Sequence, residues 1–481
     1  MNNSGFKYLD LDNKILSALE KLKYISPTKI QKEVIPLALE KIDIIAKSQT
    51  GSGKTAAFAI PLCESIDVEE NNPQALVLTP TRELAVQVKE EITYIGRFKR
   101  IRSEAIFGKQ PIERQTRELK QRVHIIVGTP GRTLDHINKG NIILNDIKYL
   151  VIDEADKMLN MGFIEQVEAV IEKLPINRVT MLFSATIPEK ILNLCDKYMK
   201  NPKLIETNAE MLTVEKTYQY YYEIDEREKF NFLTKLIYTN RPDSCIIFCN
   251  TKDTVNWLFQ KMDSINYDCS KLHGGMEQKD RLEVMNNFKR GALQFLIATD
   301  VAARGIDIED ISLVVNYDVP VEKESYVHRI GRTGRAGKEG IAITLVTQRE
   351  LKLLNQIEKY LDFNIPMGEI PSEQEIELGK KKFDEKQKGK VNLKVEKSSQ
   401  LEREVTKVYI KAGKNKKIRP GDIVGAIINI KGILAEDIGI IDIQDNISYV
   451  DILNGKGNIV LRELPKSTIK GKRIIVQRAQ R

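Results

Sequence analysis

Histidine is scarce in this chain, with four residues in 481, so a His-rich metal centre has little to be built from. Cysteine is thin as well. The five thiols (Cys63, Cys195, Cys245, Cys249 and Cys269) are odd in number and scattered, which argues against a disulfide framework. Cys245 and Cys249 lie close together, but within the apolar run Ser244-Cys245-Ile246-Ile247-Phe248-Cys249, which reads as a strand. No second Cys/His pair accompanies them, so buried thiols are expected rather than zinc ligands. No apolar run is long enough to cross a bilayer. The opening Met1-Asn2-Asn3-Ser4-Gly5-Phe6 turns acidic without the basic-then-apolar pattern of a secretory leader, so the expected location is cytoplasmic, without membrane.

What is present is a long, charged, globular chain. Its length calls for two to four domains, each able to bury a core. With 42% hydrophobic and 30% charged residues it reads as folded and soluble. The net charge of +8 is concentrated at one end: residues 404–481 hold fifteen Lys and Arg against eight Asp and Glu, a net of +7. Such a patch suits a polyanionic partner, nucleic acid ahead of membrane, with a merely solvated surface as the alternative.

Through about residue 366, short apolar runs such as Ile42–Ala46, Ala75–Leu78 and Tyr149–Ile152 alternate with amphipathic stretches. That alternation predicts parallel sheets with helices on both faces. It pauses near Asn201-Pro202, so two α/β domains are expected, 1–206 and 207–366. Residues 367–403 are rich in Lys, Glu, Gln and Ser. Glu373–Leu378 reads as a helical continuation and Lys380–Gln400 as a flexible tether. Residues 404–481 then follow a βαββαβ order, a small α+β domain of RRM-like type.

The strand Ile42–Ala46 runs into Ser48-Gln49-Thr50-Gly51-Ser52-Gly53-Lys54-Thr55. Ser48 replaces the first glycine of G-x-x-x-x-G-K-[ST], yet Gly51, Gly53, Lys54 and Thr55 keep its working core. Small residues let backbone N–H groups face phosphates at a helix start, Lys54 reaches the β/γ-phosphates of ATP, and Thr55 ligates Mg²⁺. A chance Gly/Ser/Thr turn is the plain alternative; the position between a strand and a helix favours the phosphate loop. The strand Tyr149–Ile152 ends in Asp153-Glu154-Ala155-Asp156. Asp153 there suits Mg²⁺ through water, and Glu154 suits general-base work on the attacking water. An acidic helix cap is the competing reading, weakened by the phosphate loop nearby.

These two segments resemble the DEAD-box helicases, with tandem RecA-like domains, and further pieces match in order over about residues 1–366. Tyr24-Ile25-Ser26-Pro27-Thr28-Lys29-Ile30-Gln31 is similar to the Q motif, with Phe6 as upstream aromatic. The resemblance implies that Gln31 reads the adenine edge, Phe6 stacks on the ring and Tyr24 lies in the nucleotide site. Pro80-Thr81-Arg82, Gly108 and Thr129-Pro130-Gly131-Arg132 are similar to segments that hold RNA phosphates, and Ser184-Ala185-Thr186 to one that links ATP state to domain closure. Lys109 stands where that family usually has a second Gly. In the second domain Asn250, Gln278 and Arg281 match RNA-contacting motifs. Thr299, Asp300 and Arg304 imply RNA contacts, Asp307 a nucleotide contact. His328-Arg329-Ile330-Gly331-Arg332-Thr333-Gly334-Arg335 matches the last motif, which implies arginine fingers at Arg332 and Arg335 and an aligning role for His328. The family grips RNA by its backbone and bends the strand, which implies local duplex separation.

The tail is similar to the C-terminal domain of DbpA-type bacterial helicases, carried by Lys407–Ile410, Ile418–Ala426 and Ile469–Arg473. This implies a hairpin of 23S ribosomal RNA as partner, in assembly of the large subunit. The aromatic platform of an ordinary RRM is poor, so RNA contacts are expected from Lys411, Lys414, Lys416, Lys417, Arg419, Lys472 and Arg473, with Tyr409 and Tyr449 as stackers. The reading is an RNA-stimulated ATP hydrolase and helicase acting as a monomer. A general cold-response or RNA-turnover helicase and a passive ATP-regulated clamp are the alternatives, and a DNA helicase is the weakest.

Overall fold

The computed structural model describes residues 5–48, 51–206, 217–300, 311–334, 340–387 and 404–479. The expected fold class holds: two parallel-sheet α/β domains are followed by a small antiparallel-sheet domain.

The first sheet has seven parallel strands: β1 (Ile44–Lys47), β2 (Ala75–Leu78), β3 (Ser103–Ile106), β4 (Ile125–Gly128), β5 (Tyr149–Ile152), β6 (Val179–Ser184) and β7 (Lys203–Glu206). Their order is β3-β4-β2-β5-β6-β1-β7. The central strands are apolar throughout because both faces are covered. Alternate residues serve two cores: Ala75 and Val77 pack on one side of β2, Leu76 and Leu78 on the other.

The second sheet contains β8 (Thr217–Glu223), β9 (Cys245–Cys249), β10 (Cys269–Leu272), β11 (Phe295–Thr299), β12 (Leu313–Asn316) and β13 (Gly340–Val346), in the order β10-β11-β9-β12-β13-β8. Cys245 and Cys249 are free, buried core thiols, as expected. Burial pushes the Cys245 thiol well above its usual range. Among the described residues no cluster of three metal-ligating side chains occurs, and no helix is long and apolar enough to cross a membrane.

The expected break after residue 366 is crossed by structure. Gly368 donates its N–H to the Tyr221 carbonyl, continuing the pairing with β8. A helix then spans Glu373–Gln387, past the expected end at Leu378, which corrects the tether assignment for 380–387. The physical reason is Phe383, 1% exposed, which packs with ring centroids 5.7 Å from Tyr238 and 5.5 Å from Tyr267. Gly379 lets this helix approach closely, since a Cβ there would lie 2.5 Å from the Tyr238 carbonyl oxygen. Lys386 closes the end by donating to the Arg241 carbonyl and pairing with Asp243. Residues 388–403 lie outside the described residues.

The third sheet is antiparallel: β14 (Thr406–Ile410), β15 (Ile438–Ile443), β16 (Ser448–Ile452) and β19 (Val476–Arg478), ordered β15-β16-β14-β19. Helices Pro420–Ile428 and Gly457–Glu463 cover one face, burying Ile423, Ile427 and Val460 against Val408, Ile410 and Val450. The βαββαβ expectation therefore holds, with an added hairpin of β17 (Thr468–Ile469) and β18 (Lys472–Arg473). The final strand is Val476–Arg478. The described residues form two compact units: the first α/β domain together with the C-terminal domain, and the second α/β domain with the Glu373–Gln387 helix.

Candidate nucleotide and RNA sites

Strand order divides the carboxyl edge of the first sheet into two halves. On adjacent β5, β6 and β1 the strand ends carry Asp153-Glu154, Ser184 and the phosphate loop. On adjacent β3, β4 and β2 they carry Gly108, Thr129–Arg132 and Pro80–Arg82. Ligand contacts at the carboxyl ends of parallel strands are the rule for such sheets.

In the phosphate loop Gly53 has φ +91, a conformation that suits glycine, and caps the helix Lys54–Ser65. A Cβ there would also lie 2.5 Å from the Gln31 Nε2. Lys54 is buried and donates to the Ser48 carbonyl at 2.9 Å, and the Ser48 and Ser52 hydroxyls lie 2.6 Å apart. Ser48 thus serves where a glycine was expected: its carbonyl holds the lysine and its N–H extends the pairing of β1 to Ser184. Gln49 and Thr50 lie outside the described residues.

Gln31 accepts from the Thr28 N–H at 3.0 Å and donates to the Gly53 carbonyl at 3.1 Å. It therefore ties the Q motif to the phosphate loop. An amide still has one donor and one acceptor position beyond these, the pair that reading an adenine edge needs. Phe6, the residue expected to stack on the adenine ring, packs inside the domain. It is 4% exposed and packs edge-on to Tyr24 at 6.1 Å, so its apolar ring is held in the core. The Tyr24 hydroxyl bonds Glu91.

At β5 the Asp153 carboxylate is 3% exposed, and its Oδ1 has no hydrogen-bond partner among the described residues. Burial raises its pKa, Lys54 opposing and Glu154 reinforcing the shift. Glu154 sits at φ +54, a strained left-handed conformation that turns the chain into the helix Ala155–Asn160. Its Oε1 accepts from Lys157 Nζ at 2.6 Å, with both side chains buried. Asp156 accepts from the Thr186 N–H at 3.1 Å, and the Ser184 hydroxyl accepts from the Asp156 N–H at 3.1 Å. Lys157 had no signal in the sequence beyond its place one turn past a strand end, and Asp156 stood in the 153–156 motif without an assigned role.

On the other half, Pro80 is buried, and Thr81 caps the helix Arg82–Ile95 by accepting from the Leu84 N–H at 3.2 Å. Arg82 lies over Gly108, its Nη2 3.7 Å from where a Cβ would stand. Lys109 has φ +60, which explains the family's glycine there and leaves this lysine strained by about 1 kcal/mol. Thr129 and Pro130 start the helix Pro130–Asn138, and a Cβ on Gly131 would meet Gln166 at 3.2 Å. Arg132 donates to the Gln110 carbonyl at 3.0 Å and to Gln115 Oε1 at 2.9 Å. Buried His136 holds the same Gln115 oxygen at 3.1 Å through Nε2, while its Nδ1 faces the Asn141 amide at 3.1 Å. Burial, reinforced by Arg132, lowers the His136 pKa to about 4.

In the second domain, the ends of adjacent β10, β11 and β9 lead to Gln278 and Arg281, to Thr299 and Asp300, and to Asn250. Arg281 donates to the His273 carbonyl at 3.4 Å, and Gln278 is buried. Arg329, 1% exposed, ties this half together. It grips both Asp300 oxygens at 2.6 and 2.7 Å, Asn250 Oδ1 at 2.9 Å and the Asp318 carbonyl at 2.7 Å. Asp300 and Asn250 are thus held by this guanidinium, a hub the sequence showed only as a spacer in the last motif. Arg332 is buried, and its Nε donates to the His328 carbonyl at 3.3 Å. Arg304, Asp307 and Arg335 lie outside the described residues.

In the C-terminal domain Lys411, Lys414, Lys416, Lys417, Arg419, Lys472 and Arg473 are all exposed. Tyr409 and Tyr449 are cross-strand partners on β14 and β16, half-buried, with centroids 5.8 Å apart.

Comparison with known proteins accounts for this arrangement. Residues 28–194 match the DEAD/DEAH box helicase family, 228–337 the helicase conserved C-terminal domain, and 407–478 the DbpA RNA binding domain. The chain is 56% identical to the ATP-dependent RNA helicase DbpA of Bacillus subtilis, covering 99% of this chain and 100% of that one. It belongs to the DbpA-type DEAD-box ATP-dependent RNA helicases. The DEAD-box helicase CshA of Geobacillus kaustophilus is 48% identical over 74% of this chain and 76% of its own length. S. cerevisiae Dbp5, solved with RNA and ADP BeF3, is 35% identical with a TM-score of 0.70, covering 79% of this chain and 99% of that one. As a member of this family the chain is an ATPase and RNA helicase that binds ATP and RNA.

Proposed function

We propose that this helicase separates short RNA duplexes locally and that its C-terminal domain directs it to a hairpin of 23S ribosomal RNA during large-subunit assembly, as a cytoplasmic monomer. The observation that carries the local step is the division of the strand ends. Loops matched to phosphate-backbone contacts lie on one half of the first sheet and loops matched to nucleotide on the other. One rigid sheet therefore connects a bound strand to a bound triphosphate. Backbone contacts carry little sequence information, which leaves selectivity to the exposed lysines and paired tyrosines of the C-terminal domain.

Asp153 and Thr55 fit a Mg²⁺ ion. The buried, unpartnered Asp153 oxygen is the kind of acceptor that a cation or its water satisfies. Bound there with ATP, the ion would neutralise phosphate charge. Glu154, held by Lys157, orients and deprotonates the attacking water. Lys54 lies against Ser48 with its ammonium in the phosphate loop, and Arg332 of the second domain is the cation assigned to the transferred phosphoryl group. His328 aligns this network.

The test compares ATPase stimulation of the full chain and of a chain ending before residue 404, using 23S fragments and unrelated RNA of equal length. The proposal expects the full chain to respond at far lower concentrations to the hairpin-bearing fragment and the shortened chain to respond equally to all. Equal responses by the full chain at matched salt would leave a general RNA helicase as the better reading.

A further inference from the structure

We infer that the first α/β domain carries a docking surface for the chain's own C-terminal domain, and that this surface, not the connecting segment alone, sets where captured RNA is held. Four polar contacts join the two. Arg102 Nη1 meets Asp442 Oδ1 at 3.3 Å, and Gln121 Nε2 donates to the Ile443 carbonyl at 3.3 Å. Arg100 Nη2 donates to the Ala435 carbonyl at 2.5 Å, and Lys21 pairs with Glu404. Arg102 is itself braced by Glu118 at 3.4 Å.

The polarity of these contacts is uniform. Every donor comes from the first domain, and every acceptor from the C-terminal domain. Asp442 and the Ala435 carbonyl, in a domain of net charge +7, thus face Arg102 and Arg100 of the basic run Arg97-Phe98-Lys99-Arg100-Ile101-Arg102, while Glu404 faces Lys21 and the Ile443 carbonyl faces Gln121. The surfaces also match structurally. Arg102 immediately precedes β3, the edge strand of the first sheet, while Asp442 and Ile443 lie on β15, the edge strand of the third. The contacts run through first-domain side chains, and Gln121 supplies the donor for the Ile443 carbonyl on that edge strand.

The docked edge leaves the proposed RNA-binding groups open. Lys411, Lys414, Lys416, Lys417, Arg419, Lys472 and Arg473 remain exposed in the docked chain. Asp442 stands opposite Tyr449, which stands opposite Tyr409, so the latch adjoins the tyrosine pair on one sheet face. RNA held there lies beside the domain that bears the phosphate loop. Because the pairs are polar and partly exposed, the latch weakens as salt rises. The RNA part of this inference rests on the proposed function; the docking does not.

Carbodiimide coupling of the full chain tests the docking without RNA. The reagent activates the Glu404 carboxylate, the Lys21 amine displaces the activating group, an amide forms, and the carbodiimide leaves as urea having taken up the water. Mass spectrometry should find a Lys21–Glu404 cross-link in the monomer, at a yield independent of protein concentration. Arg102→Glu should reduce it at least about five-fold, and the exchange Arg102→Glu/Asp442→Arg should restore it. Absence of the link in the parent chain, a yield that scales with concentration, or indifference to Arg102→Glu would overturn the docking. If docking holds, Arg102→Glu should also raise the concentration of hairpin-bearing RNA needed for half-maximal ATPase stimulation several-fold, with restoration by the exchange. An unchanged value alongside a lost cross-link would overturn the positioning of RNA while leaving the docking intact.

Discussion

Lys157 is the residue whose removal should be felt most sharply at the nucleotide site. Its ammonium lies 2.6 Å from Glu154 with both groups buried, so Lys157→Met removes a buried counter-charge from beside that carboxylate. The expected loss is about 3 kcal/mol of stability. The double variant Lys157→Met/Glu154→Gln should regain part of it, and strict additivity in thermal unfolding would disprove the coupling. Lys109 tests a different kind of strain. With φ +60, Lys109→Gly should leave stability equal or raise it by up to about 1 kcal/mol; a clear loss would show that the lysine side chain makes a contact outweighing the strain. Residues whose chemistry is contiguous in the chain, such as Gly53-Lys54-Thr55 and Asp153-Glu154, were legible because phosphate and water demand those types at a strand end. Arg329 and Gln115 were not, since their partners are brought together by packing from distant segments. The packing of Phe6 on Tyr24 was illegible for the same reason: an aromatic beside a ligand motif looks identical in sequence whatever its ring touches.

At the scale of elements, the helix Glu373–Gln387 shows how composition can mislead. Its charged residues face water, and a single aromatic, Phe383, anchors it among Tyr238, Tyr267 and Phe295. Of its three apolar side chains, Ile376, Leu378 and Phe383, only the last is buried, so no period of burial can be read. Phe383→Ala should cost about 3–5 kcal/mol and lower the unfolding midpoint of the second domain; a negligible change would mean the helix is not part of that core. The helix Pro130–Asn138 carries a pH dependence. Burial holds both His124 and His136 at a pKa of about 4, below the ordinary 6.5. Between those values the unfolded chain takes up protons that the native chain does not, so stability is full above pH 6.5 and declines as pH falls toward 4. The expected loss is on the order of 1–3 kcal/mol per ring. Thermal unfolding of His136→Asn between pH 7 and 4.5 should show a shallower decline than the parent; an identical slope would remove His136 from the account. Protonating Nδ1 also ends its acceptance from the Asn141 amide, while the Nε2–H bond to Gln115 is kept.

For the whole molecule, the alternation of strands and helices was enough to foresee two parallel-sheet domains and a smaller α+β domain, because the central strands of the parallel sheets bury both faces and each covering helix buries one. The strand order was not legible, and it is the strand order that separates phosphate-loop residues from the loops matched to RNA-backbone contacts on one edge. The latch of the C-terminal domain was equally invisible, since Arg102 and Asp442 are 340 residues apart. The central claim is that RNA-dependent ATP hydrolysis is performed at this edge, with Glu154 as base. It is tested most directly by single-turnover ATP hydrolysis by full-length Glu154→Gln with saturating RNA, with ATP affinity measured in parallel. The account predicts that ATP still binds while hydrolysis falls at least about 100-fold. Hydrolysis at the parental rate would contradict it.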